Sequence, residues 1–419
     1  MLREISEKEY NKFIENYPSS LFFQSTSWGH FKKNTGWTME IVGLEEDNKI
    51  KAAAILLGKK LPLLNKTMYY SPRGFIIDYN DLKLLEKFTE ELKKYIKGKK
   101  VLFLKINPYI DYNKRDKDGN IISEKSNKLV NYLKSLGYAH YGFYTDQKDK
   151  KELEPRWVSA LDIENKTEEE ILKEMRSTTR WQINKARKNC IEIKEASYDE
   201  IEKFKDIMIH TSDRREFDDR PLSYYQEMYK TLKEQNIYKL MLAYIDLKKF
   251  NENNKEDLKK LEEKIERSTK ENQKKEFISQ KETLEKRIKK VEEEINNYGE
   301  KPCIAGGIYL SFGDQIVYLY GGSYKEFMSY GAQFLLQDEM IKYGIENKYK
   351  KLNFYGIDGL FTKDSKNYGL FDFKRGFGAD VVELIGEFDL PSNKFVYRLY
   401  RIMFSMYKKL RHIKTRLKK

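Results

Sequence analysis

Cysteine is nearly absent from this chain: Cys190 and Cys303 are the only two in 419 residues, and neither sits in a CxxC-type spacing. Neither a disulfide framework nor a thiolate zinc site is indicated. Histidine is almost as scarce. His30, His140, His210 and His412 stand far apart without ligand spacing, so neither a metal nor another cofactor is expected. No run approaches the ~18 consecutive apolar residues that a membrane-spanning helix needs. The opening MLREISEKEYNKF is charged and reads as the start of a fold, not as a secretory leader. These absences predict a cytoplasmic protein whose membrane contact, if any, is peripheral and at the inner face.

What the chain does have is positive charge. Lys and Arg number 80 against 66 Asp and Glu, a net +14. That balance suits an anionic partner: nucleic acid, a membrane surface or a phosphorylated substrate. A Lys-, Asn- and Tyr-rich composition also arises from AT-rich coding, so charge alone leaves both readings open.

At 50.1 kDa the chain exceeds one compact domain. Residues 1–150 alternate short strands (KAAAILLG, VLFLKINP) with a helix carrying Leu84, Leu85, Phe88, Leu92, Tyr95 and Ile96 at helical spacing. The α/β pattern restarts at Trp157, and CIAGGIYLSFGDQIVYLYGGS reads as a β-hairpin turning near Gly313-Asp314. Residues 246–299 differ. Leu247, Phe250, Asn254, Leu258, Leu261 and Ile265, then Leu284, Ile288, Val291, Ile295 and Tyr298, form a heptad seam on two arms. An antiparallel coiled-coil hairpin is expected, projecting about 35–40 Å at 1.5 Å per residue. The expected division is therefore a first domain at 1–150, completed by a C-terminal helix at 386–419, and a second at 151–245 and 300–385, with the hairpin at 246–299 inserted. The tail helix carries Val396, Leu399, Met403, Met406, Leu410, Ile413 and Leu417 on one stripe and is otherwise basic. One reading docks that stripe on the first domain and leaves the basic end near anionic lipid; the plain one is a soluble basic tail.

Six segments, QSTSWGHFKKNTGW, RSTTRWQINKARKNCIEI, HTSDRREFDDRPLSYY, IVYLYGGS, GAQFLLQDEMIKYG and LFDFKRGFG, occur in this order across about residues 22–378. Together they resemble the FemABX family, tRNA-dependent aminoacyltransferases that build peptidoglycan bridges. The resemblance implies an α/β fold of two acetyltransferase-like (GNAT) domains with the precursor in the cleft between them. It implies aminoacyl-tRNA as donor and a lipid- or nucleotide-linked peptidoglycan precursor as acceptor. Many relatives carry Asp-Pro where this chain has Asn107-Pro108; an amide takes no proton, so any general base lies elsewhere.

Transfer from an activated ester to an amine needs positioning, a proton acceptor and stabilisation of a tetrahedral oxyanion. No Cys/His or Ser/His/Asp constellation is evident, which disfavours an acyl-enzyme. Lys374, beside Phe371, Phe373 and Phe377, is the catalytic candidate, since aromatic neighbours desolvate a cation; the resemblance gives it that role, and a surface lysine on a strand edge is the alternative. Lys32, Arg220 and Tyr224 are the candidate contacts for the precursor's diphosphate, in which cations from separate segments converge. Lys33 competes with Lys32, and an ion pair to Asp218 or Asp219 competes for Arg220. Tyr318 and Tyr320 alternate on a strand, so both are expected on one face, lining the cleft; an aromatic core residue with a polar tip is the alternative for Tyr318, while Tyr320 stands next to Gly321-Gly322, where backbone can approach a ligand. Arg176, Arg180, Lys185, Arg187 and Lys188 form a basic helix surface suited to tRNA phosphates, against the plain alternative of a solvated face. A CoA-dependent N-acyltransferase and a non-catalytic RNA-binding protein are the competing functions. The first lacks a phosphate-cradling Gly-rich loop; the second leaves Lys374 unexplained.

Overall fold

The computed structural model describes residues 1–124, 127–145 and 153–416, with side chains to 407. The first third runs β1 (Leu2–Glu4), α1 (Glu7–Ile14), α2 (Thr26–Asn34), β2 (Thr38–Glu46), β3 (Lys49–Lys60), β4 (Thr67–Ser71), α3 (Leu82–Gly98) and β5 (Val101–Ile106). Local chemistry starts the helices. Ser6 and Glu9 form a capping box on α1, and the Asp81 carboxylate accepts from the Leu84 N–H at the start of α3. The apolar stripe of α3 buries Leu85, Phe88, Leu92 and Ile96 against β5, whose six residues are all buried. Then follow β6 (Asp111–Arg115), β7 (Ile121–Glu124), α4 (Lys128–Ser135) and β8 (Ala139–His140).

The middle runs β9 (Trp157–Asp162), α5 (Glu168–Glu174), α6 (Ser177–Lys188), β10 (Ile191–Glu195), α7 (Ile201–Arg215), α8 (Leu222–Lys233) and β11 (Tyr238–Ile245). Two long helices, α9 (Leu247–Arg267) and α10 (Glu271–Tyr298), come next. Lys255–Glu292 at 2.7 Å and Lys281–Glu262 at 2.6 Å show that they run antiparallel. Their base is not free-standing: Phe250 and Val291 belong to a core that also holds Tyr330 and Leu336.

The last third is β12 (Cys303–Phe312), β13 (Gln315–Ser323), α11 (Ala332–Glu346), β14 (Lys351–Gly356), α12 (Tyr368–Gly376), β15 (Asp380–Leu384), β16 (Phe388–Pro391) and α13 (Lys394–Arg416). The β12–β13 turn falls at Gly313, where φ is +56° and a Cβ would lie 2.0 Å from the Pro18 carbonyl oxygen. Only glycine fits there, and the Asp314 N–H donates to that same oxygen at 2.9 Å.

The described strands form two mixed sheets, ordered β1-β2-β3-β4-β5-β16-β8 and β10-β11-β12-β13-β14-β9-β15-β6-β7. Both borrow from the far end of the chain. β6 and β7, early in sequence, close the edge of the second sheet, while β16, late in sequence, lies between β5 and β8 in the first. A buried ionic cluster holds β16 in place: the Lys105 ammonium sits 2.9 Å from Glu387 and 3.0 Å from Asp389.

The tail helix corrects one expectation. Its docked face is aromatic: Tyr397 and Tyr400 are buried with Leu102 and Phe103, and Val396 and Phe404 pack beside them. Leu399 and Met406, expected on the docked stripe, are exposed. A Tyr can bury its ring and still satisfy its hydroxyl, as Tyr397 does on Asp389 at 2.6 Å. The side chains of Leu410, Ile413 and Leu417 lie outside the described residues.

Candidate active site

Helix α2 begins where Ser25 Oγ accepts from the Trp28 N–H at 3.1 Å, and its first turns bury Trp28 and Phe31. This sets Lys32 among four rings: its ammonium lies 5.6 Å from the centroid of Trp28, 5.8 Å from Phe31, 5.3 Å from Trp37 and 5.8 Å from Tyr224. Burial pulls its pKa down to about 8, with Arg220 and Lys59 adding to the effect and Glu154 opposing it. Lys33, its competitor, is exposed.

Arg220 precedes the Pro221 that opens α8. Asp219 is already taken by Lys205 at 2.5 Å and the Tyr225 hydroxyl at 2.6 Å, so it does not hold Arg220. The Arg220 guanidinium instead lies 5.2 Å from the Tyr224 ring, and the Tyr224 and Tyr320 hydroxyls beside it act on its charge. Four of the expected residues, Lys32, Arg220, Tyr224 and Tyr320, thus come together from three separate stretches of chain.

Tyr318 does not join them. The β12–β13 register pairs Tyr309 with Tyr318 but Ile308 with Tyr320, so Leu319 is an extra residue, a β-bulge. Strict alternation is lost and the two tyrosines face opposite sides of the sheet. Tyr318 stacks on Tyr309 at 5.0 Å and donates to Gln333 of α11, whereas Tyr320 meets Tyr225 at 5.7 Å. The expectation of a shared face is overturned by that one inserted residue.

Sequence reasoning missed Glu154. This half-buried carboxylate stands just before β9, and loss of solvent pushes its pKa up to about 7 against the pull of Arg73, Lys32 and Arg220. It accepts a hydrogen bond from the Tyr355 hydroxyl. Tyr355 sits at φ +64°, a left-handed conformation unusual for a tyrosine, at a register shift between β14 and β9. Its own carbonyl accepts from the Lys374 ammonium at 3.2 Å, and the Gly356 carbonyl does so at 2.7 Å. Lys374 lies on α12, not on a strand edge, and is only 3% exposed. Burial without a charged partner brings its pKa down to about 7. Tyr355 is therefore the bridge between the Lys32–Arg220 cluster and Lys374. Arg73, another buried group, stacks over Phe23, Tyr109 and Tyr355 at 5.7–5.9 Å. Asn107 holds this corner in place, because its Oδ1 accepts from the Arg73 N–H at 2.8 Å and the Tyr70 hydroxyl at 3.2 Å.

A family model described as the FemAB family matches residues 5–404. The chain belongs to the FemAB family. Aminoacyltransferase FemB of Staphylococcus epidermidis is 33% identical, with 97% of this chain and 99% of that protein covered. Aminoacyltransferase FemA of Staphylococcus aureus is 30% identical, covering 94% and 96%. Among solved structures, a crystal structure of FemX is similar over 95% of this chain and 99% of its own, with a TM-score of 0.75 and 28% identity. With aminoacyltransferases matched over 94–97% of its length, this FemAB protein is an enzyme that transfers aminoacyl groups.

The basic helix α6 is less open in this FemAB chain than its sequence suggests. Arg176 makes a fork to Asp372 at 2.9 and 3.0 Å, Arg180 caps the end of α5 through the Met175 carbonyl at 2.5 Å, and Arg187 pairs with buried Asp338 at 2.5 Å. Lys185 and Lys188 remain on the surface of a groove between α6 and the base of α9 and α10, with Lys260, Arg287 and Lys290 across it. Glu154, Arg73 and Tyr355 carry no local signal. Each is a lone residue whose meaning depends on what the fold sets opposite it.

Proposed function

We propose that this enzyme takes an amino acid (Gly, Ser or Ala) from aminoacyl-tRNA and delivers it to the stem-peptide amine of a peptidoglycan precursor. What carries the reading is the convergence of Lys32, Arg220, Tyr224 and Tyr320 on one side of Tyr355 and Lys374 on the other. Two desolvated cations with hydroxyl donors suit the precursor's diphosphate, whether its other end is a lipid or a nucleotide. Each half of the chain serves, in this reading, as an acetyltransferase-like lobe bracketing the precursor. The amine nitrogen attacks the ester carbonyl carbon, the C–N bond forms, and the bond to the tRNA ribose oxygen breaks, that oxygen leaving as the hydroxyl once it takes up the proton the amine has lost. Glu154, poised near neutrality, is the carboxylate we assign to accept the proton from the attacking amine. An ammonium has three N–H donors; two of those on Lys374 hold the Tyr355 and Gly356 carbonyls, leaving the third for the developing oxyanion. The tRNA donor is assigned to the face carrying Lys185 and Lys188.

The test supplies purified lipid-linked or nucleotide-linked precursor, bulk tRNA with a mixture of synthetases, and separately acyl-CoA, and reads the product by mass spectrometry. A mass increment of one or more aminoacyl residues, abolished by ribonuclease, is expected. Acylation from acyl-CoA in the absence of tRNA overturns the reading.

A further inference from the structure

Helix α13 has two apolar faces, and only one is covered. Tyr397 and Tyr400, at 6% and 3% exposure, lie on the first sheet. On the opposite side Phe395, Leu399, Ile402 and Met406 are 76%, 50%, 60% and 59% exposed. Their spacing of 4, 3 and 4 residues puts them on one stripe of the helix. A helix packed on a domain ordinarily turns its polar side to water; here the outward side is the greasy one. The described part of the stripe, to Met406, runs about 16 Å at 1.5 Å per residue, and no described helix is long and apolar enough to cross a membrane.

The charge around this stripe has one sign. From Lys394 to Lys419 there are ten Lys or Arg and no Asp or Glu, in a chain that holds 66 acidic residues. The neighbouring β3–β4 connection repeats the pattern. Lys59 through Lys66 contains no acid; Leu61 and Leu64 pack into the same cluster as Tyr397 and Tyr400, while Leu63 at its tip is 49% exposed.

We propose that the outward face of α13, flanked by the Leu63 loop, is a docking surface for an anionic lipid bilayer. An apolar stripe beside the exposed Lys394, Arg398 and Arg401, in a tail whose sequence holds no acid, matches a bilayer interface in both respects: the apolar side chains enter the acyl boundary and the cations meet anionic headgroups. A second copy of this chain fits poorly, because a two-fold contact through the stripe would bring the two sets of cations together. The docking would hold the enzyme where a lipid-linked acceptor lies, but it rests on the helix alone and not on the donor and acceptor assigned above.

The experiment is co-sedimentation of the full chain with vesicles of phosphatidylcholine alone or with 30% phosphatidylglycerol (about one lipid in three, enough to give an anionic surface). The wild type should partition onto the anionic vesicles at least ~10-fold better than onto the neutral ones, with the preference falling as salt is raised. The triple variant Leu399→Glu/Ile402→Glu/Met406→Glu should lose that partitioning while keeping its circular dichroism and its activity on a soluble nucleotide-linked precursor. Wild type that stays in the supernatant, or a folded triple variant that binds vesicles as well as wild type, overturns the proposal. So does a wild-type dimer that the three substitutions convert to monomer with no change in vesicle binding, which would assign the face to a second copy.

Discussion

Lys374 is a lysine buried without a carboxylate, and the physics of that arrangement can be tested apart from catalysis. Its pKa is near 7 in the fold and about 10.5 in the unfolded chain. Below pH 7 both states carry the proton, and the buried charge is a full burden on stability. Between pH 7 and 10.5 the unfolded chain binds more protons than the native state, so stability rises with pH across that window. Lys374→Met should flatten that rise, read as urea midpoints at pH 7, 8, 9 and 10 against wild type. The same variant should lose ~100-fold or more in kcat, the scale for removing one transition-state donor, with precursor affinity by calorimetry little changed. A variant with near-normal kcat removes Lys374 from the mechanism. Glu154 gives a second reading. Glu154→Gln still accepts the Tyr355 hydroxyl but takes no proton. The variant's kcat/KM should fall by ~10²-fold or more, and the acid limb of the wild-type bell should disappear from its profile, leaving the fall above pH 7 where Lys374 loses its proton. Retention of that limb in Glu154→Gln assigns it to another group.

At the scale of elements, the two long helices divide into a tip and a base. The tip is exposed apart from its own seam at Leu261 and Leu284, but Phe250 packs on Tyr330 at 5.7 Å and Val291 is fully buried in the core that Tyr330 shares. Replacing residues 256–286 with a short turn should leave the protein folded, whereas Phe250→Ala should cost about 3–5 kcal/mol, as truncation of a buried aromatic does. Thermal melts of both variants check this; a large loss on excising the tip would make it scaffolding. Helix α6 divides likewise. Arg187→Ala leaves the buried Asp338 carboxylate with only Lys342 at 3.4 Å, and should cost about 1–3 kcal/mol of stability with little effect on tRNA affinity. Lys185→Ala and Lys188→Ala should do the reverse, each lowering the salt slope of tRNA binding by about one. Equal affinity losses in all three variants would return the whole helix face to the tRNA.

The whole molecule is sewn together by strands that cross between its halves. β6 and β7 finish a sheet whose other members all follow residue 156, and β16 fills a gap in a sheet built before residue 141. Chains cut into 1–150 and 151–419 would each leave long sheet edges unpaired. Expressed apart, neither piece should give a cooperative transition, while the intact chain should show coincident unfolding by circular dichroism and tryptophan fluorescence. Two well-separated transitions in the intact protein would mean that the exchanged strands contribute little.

What the sequence determined by itself was whatever rests on neighbours along the chain. The apolar stripe of α3 and the turn at Gly313-Asp314 follow from periodicity and turn chemistry within a dozen residues. The ordered motifs placed the chain in its family, and they named Lys32, Arg220 and Tyr224, which the fold then set side by side. Only tertiary structure decided the rest. Leu319 reads like any strand residue, and its bulge, which parts Tyr318 from Tyr320, appears only against the register of β12. Arg176 and Arg187 look as free as Lys185 until their partners arrive, Asp372 and Asp338 from more than a hundred residues away. Lys374 was marked in the sequence by its phenylalanine neighbours and its motif, whereas Glu154 is an ordinary charged residue there. Burial by distant segments withdraws water from Glu154 and shifts it toward neutrality, and no pattern around it encodes that loss.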